Sequence, residues 1–161
     1  MSNIQDITDY ILIRASEEGV ALVHHKLHRL LFYVQAWSLV EGAKAFDDKF
    51  QAWVHGPVSR SVFDRFLPTH TLYDTIGIHE VRPQFQASNV DEAMKRHIDE
   101  VLDAYLGFGF VQLSDMTRRE LPWIQARGAL APDARCEDEI DETVIKKYYQ
   151  ELLDQSRVAH I

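Results

Sequence analysis

The chain has 161 residues, 46% of them hydrophobic, and its 25 acidic residues outnumber its 17 lysines and arginines, which gives a formal net charge of −8. This length is typical of one domain, and the hydrophobic content is sufficient for a core. The negative charge argues against unassisted binding to nucleic acid, because phosphate contacts need clustered Lys and Arg, and it suits a protein partner with a basic patch.

In chain order, the first two predicted elements are helices. Residues 4–18 place apolar side chains on one face, which predicts an amphipathic helix that ends near Gly19. A second helix is expected over residues 21–41, and it is apolar around most of its circumference. A helix of this kind is buried by neighbours on several sides, so we predict that it lies at the centre of the domain.

The next predicted elements are short. Residues 50–54 alternate and are rich in aromatic side chains, which predicts a strand that is broken by Gly56-Pro57. A short helix is expected over residues 59–66, where apolar residues recur at helical spacing. Residues 69–87 are expected to form a loop with one or two short strands.

The C-terminal half is predicted to be mainly helical. Ser88 or Asn89 can cap the first of its helices, and Ser114 the second. The expected elements are a helix over 90–106, a short helix over 115–120, a turn over 122–128, a linker over 129–135 and an amphipathic helix over 138–154. The fold class is therefore mainly α: a compact single-domain helical bundle around a buried central helix, with a minor β-strand or hairpin. Residues 1–156 form this domain, and residues 157–161 are expected to fray.

The residue types that usually carry catalysis do not form a recognisable constellation. His24 and His28 have the spacing of zinc ligands on a helix, but His25 stands where the zincin motif has its Glu base. Cys136, the single cysteine, excludes an internal disulfide and lies in an acidic run that disfavours a thiolate. We therefore predict no metal, no cofactor and no enzymatic activity, while a hydrolase that uses the histidines stays open as an alternative.

Serine nucleophiles and phosphate-binding loops are not indicated either. No Gly-x-Ser-x-Gly elbow occurs, and helix capping explains Ser59 and Ser114. Gly107-Phe108-Gly109 lacks the third glycine and the preceding strand of a dinucleotide loop. The single cysteine fits a reducing compartment, no apolar run reaches the roughly 18 residues of a membrane span, and the N-terminus is acidic. These features predict a cytoplasmic protein without membrane association.

Four stretches of the sequence resemble one protein family. Residues 26–37 are similar to the pattern Lys-Leu-x-Lys-Leu-Leu-Tyr-Tyr-x-Gln-x-Trp, and residues 52–58 to an Ala-Trp-x-x-Gly-Pro-Val segment. Residues 113–123 resemble a Leu-Ser-x-x-Thr-His-x-x-x-Pro-Trp segment, and residues 140–149 a closing Ile-x-x-Tyr-Tyr helix. The family is the Panacea domain, also described as SocA-like or GepA-like phage-associated proteins. The signature positions, which we interpret as structural, are Lys26, Leu27, Leu30, Leu31, Tyr33, Gln35, Trp37, Trp53, Gly56, Pro57, Ser114, Thr117, Pro122, Trp123, Tyr148 and Tyr149.

The resemblance implies an antitoxin of a type II toxin–antitoxin system. Members of the family neutralise diverse toxins that are encoded beside them, and the family is not known for an enzymatic activity of its own. We therefore expect direct binding to a cognate toxin. The chain departs from the family pattern at three positions: Arg29 replaces a second Lys, His55 replaces a residue that is often aromatic, and Arg118 replaces the usual His.

Two other mechanisms and the binding surface stay open at this point. One described family member delivers its toxin to a cytosolic ATP-dependent protease, and a DNA-binding regulator would need a basic helix. The most basic short run, Arg118-Arg119, is flanked by acids, so direct contact with nucleic acid is not expected. The predicted partner-binding residues are His55, Arg60, Arg118 and Arg119; the competing interpretation is that they only stabilise the fold. A homodimer is also left open.

Overall fold

The central element of the fold is the helix α2, which the other helices and strands surround. The computed structural model describes residues 1–159. The helices are α1 (Ile4–Glu17), α2 (His24–Val40), α3 (Arg60–Phe66), α4 (Glu92–Tyr105), α5 (Phe110–Arg118), α6 (Leu121–Arg127) and α7 (Glu142–Ala159), and the strands are β1 (Leu22–Val23), β2 (Phe50–Trp53), β3 (Gly56–Ser59) and β4 (Thr75–Ile76). The predicted mainly α fold with a minor hairpin is confirmed. Among the described residues, no helix combines the length and apolar character that crossing a membrane requires.

Helix α2 is buried along almost its whole length, because α4, α5, α7 and β3 all pack against it. Its apolar side chains Leu27, Leu30, Leu31 and Val34 are 0% exposed, which confirms the predicted central helix. Burial on every side also encloses polar side chains of α2. Each of these must find a hydrogen-bond partner inside the protein, since leaving a buried polar group unpaired costs free energy.

Two polar side chains of α2 bind the segments that enclose its two ends. The Nζ of Lys26 donates to the carbonyl oxygen of Leu106, just after α4, at 2.5 Å. Gln35 donates to the carbonyl of Phe46 at 2.7 Å, and its own side-chain oxygen accepts from the backbone N–H of Ala45 at 2.9 Å. These bonds fix the end of α4 and the loop before β2 on the central helix.

Two aromatic side chains of α2 also donate hydrogen bonds to neighbouring elements. The hydroxyl of Tyr33 donates to a carboxylate oxygen of Glu120, between α5 and α6, at 2.6 Å. The indole Nε1 of Trp37 donates to the hydroxyl of Tyr105 in α4 at 2.9 Å. Burial raises the pKa of Glu120 above the usual value for a glutamate. The junction between α5 and α6 is therefore held against α2 by a buried polar contact.

Strands β2 and β3 form an antiparallel hairpin, with Phe50 opposite Ser59 and Trp53 opposite Gly56. The predicted strand is confirmed, but Gly56-Pro57 does not end the sheet. It begins β3, because Gly56 adopts a φ of +129° that lets the chain reverse tightly after Trp53. The hairpin packs against α2 through β3.

The second sheet lies at the start of α2 and pairs Leu22 with Ile76 across β1 and β4. One short strand within the predicted loop over residues 69–87 is thus confirmed. Residues 22–23, predicted as the first turn of the central helix, form β1 instead. They are extended because the chain pairs with β4 before the helix begins at His24.

Two predicted helix caps are wrong. Neither Ser88 nor Asn89 caps α4; the carboxylate of Asp91 does so, accepting from the backbone N–H three residues later at 2.8 Å. Helix α5 begins at Phe110, where the chain leaves the preceding glycines, so Ser114 lies inside the helix. Its side chain is 6% exposed, and it forms part of the packed face of α5 rather than a cap.

The last helix begins four residues later than predicted, because the preceding segment joins the hairpin. The backbone N–H of Ala52 donates to the carbonyl of Asp138 at 2.8 Å, and that of Ile140 donates to the carbonyl of Phe50 at 2.7 Å. The helix then continues beyond the predicted residue 154. Residues 157–159 of the predicted tail belong to α7, and residues 160–161 lie outside the described residues.

Gly56→Ala is expected to destabilise the protein more than the control Gly42→Ala. Both glycines have a positive φ, +129° and +102°, so each substitution strains the backbone by about 1–3 kcal/mol. A Cβ on Gly56 would also lie 2.6 Å from the Nε of Arg29 and 2.9 Å from the Oγ1 of Thr117, whereas one on Gly42 meets no atom within 4 Å. Urea unfolding should show an extra loss of about 2 kcal/mol for Gly56→Ala. Equal losses would contradict close packing of the hairpin on Arg29.

Candidate functional site

A cavity of about 400 Å³ lies where the β2–β3 hairpin meets α3 and the segment before α7. We call it the Arg29 cavity. Its apolar lining residues are Trp53, Val54, Val58, Phe63 and Leu72, and its polar lining residues are Arg29, His55, Arg60, Arg135, Cys136 and Glu137. Ligand pockets in proteins typically measure roughly 300–1,000 Å³ and combine an apolar wall with a few polar groups. The Arg29 cavity has both features.

Arg29 is 1% exposed, and among the described residues no carboxylate contacts it. Its guanidinium donates to the carbonyl of Pro57 and, at 2.8 Å, to the carbonyl of His55. The Nε faces the backbone of Gly56 and has no acceptor. Burial, with a smaller contribution from the positive charge of Arg118, lowers the pKa of Arg29 to about 9, so the group still carries its charge at pH 7. The hairpin is thus held by a buried cation that has no counterion within residues 1–159.

Two further arginines of the cavity share one carboxylate. The guanidinium of Arg135 donates to Glu137 at 2.8 Å, and that of Arg60 lies 3.4 Å from the same oxygen. These contacts hold the pKa of Glu137 below its usual value, Arg135 having the largest effect. Arg60 also pairs with Asp64 on the outer face of α3 at 3.2 Å. The lining itself carries three guanidinium groups and one carboxylate, so it is locally cationic on a chain of net charge −8.

The structure brings two of the four predicted partner-binding residues into the cavity. His55 is exposed on the turn between β2 and β3, and Arg60 is exposed at the start of α3; both line the cavity. Arg118 is not among the lining residues, and its Cζ lies 5.9 Å from the centroid of the Trp123 ring. Arg119 is exposed after the end of α5 and is not among the lining residues. Whether any of the four binds a partner stays a prediction.

An aromatic rim next to the cavity was not anticipated from the sequence. Tyr73 is 59% exposed, and its ring centroid lies 5.7 Å from that of His25. The rings of Phe110 and His55 lie 5.4 Å and 5.6 Å from His25. The sequence signal for Arg29 was available, since a charged residue within a helix that is apolar all round must be buried. No local sequence pattern predicted that Tyr73 and residues 135–137 would lie at or next to the cavity, because they belong to segments that are distant from α2 in the sequence.

The buried histidines of α2 form a hydrogen-bonded chain whose proton positions follow from its ends. The backbone N–H of Ser59 donates to Nδ1 of His28 at 3.3 Å, so that nitrogen is an acceptor. The Nε2–H of His28 therefore donates to Nε2 of His24 at 3.1 Å, and the Nδ1–H of His24 donates to the carbonyl of Thr71 at 3.2 Å. Both rings are neutral in this arrangement, and all four ring nitrogens have partners.

The three histidines at the start of α2, His24, His25 and His28, are 0–2% exposed. Within residues 1–159, no group of three or more His, Cys, Asp or Glu side chains is arranged to hold a metal ion. The absence of a resident metal nonetheless stays a prediction.

The stability of the protein should fall as the pH is lowered through 6.5. Burial lowers the pKa of His24 from 6.5 to about 4 and that of His25 to about 3, and it places the pKa of His28 well below 6.5. Between pH 6.5 and 4 the unfolded chain therefore binds more protons than the folded one, and acid favours unfolding. The raised pKa of Glu120 acts in the opposite direction, but it is one group against three.

Urea unfolding at pH 7.5 and 5.5 should reveal a loss of about 2–4 kcal/mol on acidification. His24→Gln is expected to reduce this pH dependence, while the control His79→Gln, at an exposed position, should leave it as in the parent protein. Equal unfolding free energies at the two pH values would contradict neutral burial of the three rings.

One comparison with known proteins, the scan against family models, found a match. The family model described as antitoxin SocA-like, Panacea domain, matches residues 27–124, which is more than half of the chain and extends from α2 to α6. No curated protein and no solved structure matches the chain. The resemblance predicted from the sequence is confirmed. The chain belongs to the SocA-like antitoxin family with a Panacea domain.

Proposed function

We propose that the chain is the antitoxin of a type II toxin–antitoxin pair and neutralises its toxin by direct binding at the surface around the Arg29 cavity. Membership of an antitoxin family supports the role. We choose this surface because of Arg29. Its guanidinium is a buried cation in the wall of an open cavity, and it has no carboxylate partner among the described residues. Buried charges are normally paired, so an unpaired one beside an opening favours an external counterion.

The composition of the rim supports a protein partner. Arg60 and His55 line the opening, and Tyr73 and Phe110 lie next to it around His25. Arginine and aromatic side chains are enriched among the residues that contribute most to protein–protein affinity, because they combine a large contact area with few rotatable bonds or with several hydrogen-bond donors. A surface of this kind fits binding better than solvent exposure alone.

Two of the buried histidines of α2, His24 and His28, are poorly suited to acid–base catalysis, which favours binding as the proposed role. The ring nitrogens of His24 and His28 are engaged in the hydrogen-bonded chain from Ser59 to Thr71. Burial holds the pKa of His24 at about 4, whereas a general base works best with a pKa near the operating pH. In this proposal the antitoxin acts in the cytoplasm, on a toxin encoded beside it.

Co-expression with the product of the neighbouring gene tests the proposal. That product alone should arrest growth, and this chain should restore growth and co-purify with it. Arg60→Glu reverses a charge at the mouth of the cavity and should weaken the complex about tenfold or more. The matched control Arg96→Glu reverses an exposed charge on α4, outside the cavity, and should leave the affinity unchanged.

The other outcomes of this experiment contradict distinct parts of the proposal. Rescue of growth without a stable complex, with loss of the toxin that depends on a protease, would replace direct neutralisation by delivery to that protease. A complex that Arg60→Glu and Arg96→Glu weaken equally would place the interface elsewhere. A neighbouring product that is harmless and does not bind would contradict the antitoxin role.

A further inference from the structure

We infer that the Arg29 cavity receives the side-chain carboxylate of one aspartate or glutamate of the toxin, with an apolar neighbour of that residue against the cavity wall. The inference rests on the proposed function, because the toxin is the partner named there. It adds the chemistry by which the partner is recognised.

Two arginines are buried, but they differ in what surrounds their charge. Arg29 and Arg127 are 1% and 4% exposed, and neither contacts a carboxylate within the described residues. Arg127 is enclosed: it donates to the carbonyls of Ala52 at 3.0 Å and Ala131 at 2.9 Å, and its Cζ lies 4.8 Å from the Trp123 ring centroid. Arg29 instead contributes to the wall of an open cavity. The charge of Arg29 therefore borders a space that a ligand can enter.

The exposed arginines at the mouth of the cavity supply further hydrogen-bond donors. Arg60 and Arg135 both contact Glu137, and their side chains are 48% and 86% exposed. A guanidinium carries five N–H donors in a planar fork, so the single carboxylate of Glu137 leaves donors of both groups available. Guanidinium forks match carboxylates in geometry, often through two parallel hydrogen bonds. A second carboxylate can thus enter without displacing Glu137.

The apolar lining of the cavity and the net charge of the chain favour a ligand with a single acidic group and an apolar neighbour. Trp53, Val58 and Phe63 give one side of the cavity an apolar surface, which a phosphate or a polyanion would leave unused. The net charge of −8 repels ligands that carry many negative charges, including nucleic acid. One acid on an otherwise neutral or basic protein surface meets the cationic lining without that repulsion.

Three N-acetylated peptides test the inference on the full-length chain. The probes are acetyl-Leu-Glu-Leu-amide, its Gln counterpart, and acetyl-Leu-Leu-Leu with a free carboxyl terminus. In NMR titrations of the ¹⁵N-labelled chain, the Glu peptide should bind about tenfold or more tightly than the Gln peptide and should shift the indole N–H signal of Trp53. Arg60→Gln and Arg135→Gln should each weaken the Glu peptide several-fold, whereas the control Arg96→Gln should not.

Two outcomes would overturn the inference. Equal binding of the Glu and Gln peptides, or no shift at about 10 mM peptide, would remove the carboxylate site. Tighter binding of the peptide with the free terminus would assign the cavity to a chain end instead of an acidic side chain. Because the peptides need no toxin, these failures are distinguishable from a failure of growth rescue: rescue without peptide binding removes only the carboxylate site, and peptide binding without rescue removes only the antitoxin role.

Discussion

Burial of α2 on all sides determines how the neighbouring helices and the hairpin are attached to it. A buried helix must pair its polar side chains, and in this protein each pairing reaches a different neighbour. Lys26 binds the end of α4, Gln35 the loop before β2, and Tyr33 the junction of α5 and α6. The same three residues belong to the signature by which the sequence resembles its family. The physical content of that part of the signature is therefore a set of contacts that position the surrounding elements, and none of the three contacts requires a reactive group.

Arg29 is a further polar side chain of α2 that binds a neighbouring element, but its contacts leave a charge without a counterion among the described residues. It binds the carbonyls of the β2–β3 turn and so positions the hairpin, as Lys26 positions α4. Unlike the other pairs, this one leaves a full positive charge beside an open cavity. Departures from complete internal pairing are expected at functional sites, because there the interaction is completed by a ligand. The proposed binding surface thus follows from the same constraint that organises the fold.

Much of the fold was predictable, because its main signals are local. The apolar circumference of residues 24–40 identifies a buried helix, and the aromatic alternation before Gly56 identifies a strand. The errors arose where tertiary contacts overrode local signals. Ser114 has the side chain of a helix cap, yet the helix begins earlier, at Phe110. The acidic residues from Asp138 resemble the first turn of a helix, but backbone pairing with β2 keeps them extended.

The candidate site was less predictable than the fold. His55 and Arg60 are close in sequence, and their shared position in the cavity follows from the hairpin that separates α2 from α3. Arg135 and Glu137 approach from a distant segment, of which residues 129–135 were predicted only as a linker. The burial of Arg29 could have been inferred from its position on α2. That no carboxylate of the described residues contacts it depends on every element that packs around it, and no local sequence pattern predicts this.

Binding of the partner at the Arg29 cavity can be tested by the rate at which a thiol reagent modifies Cys136, in the free chain and in the complex with the neighbouring gene product. Cys136 is the only cysteine of the chain, it lines the Arg29 cavity, and it is 6% exposed. Peptide masses separate its modification from that of any thiol in the partner. If the partner occupies the cavity, modification should slow about tenfold or more in the complex, because the occupant blocks access to the thiol. Equal rates in a stable complex would contradict binding at this cavity.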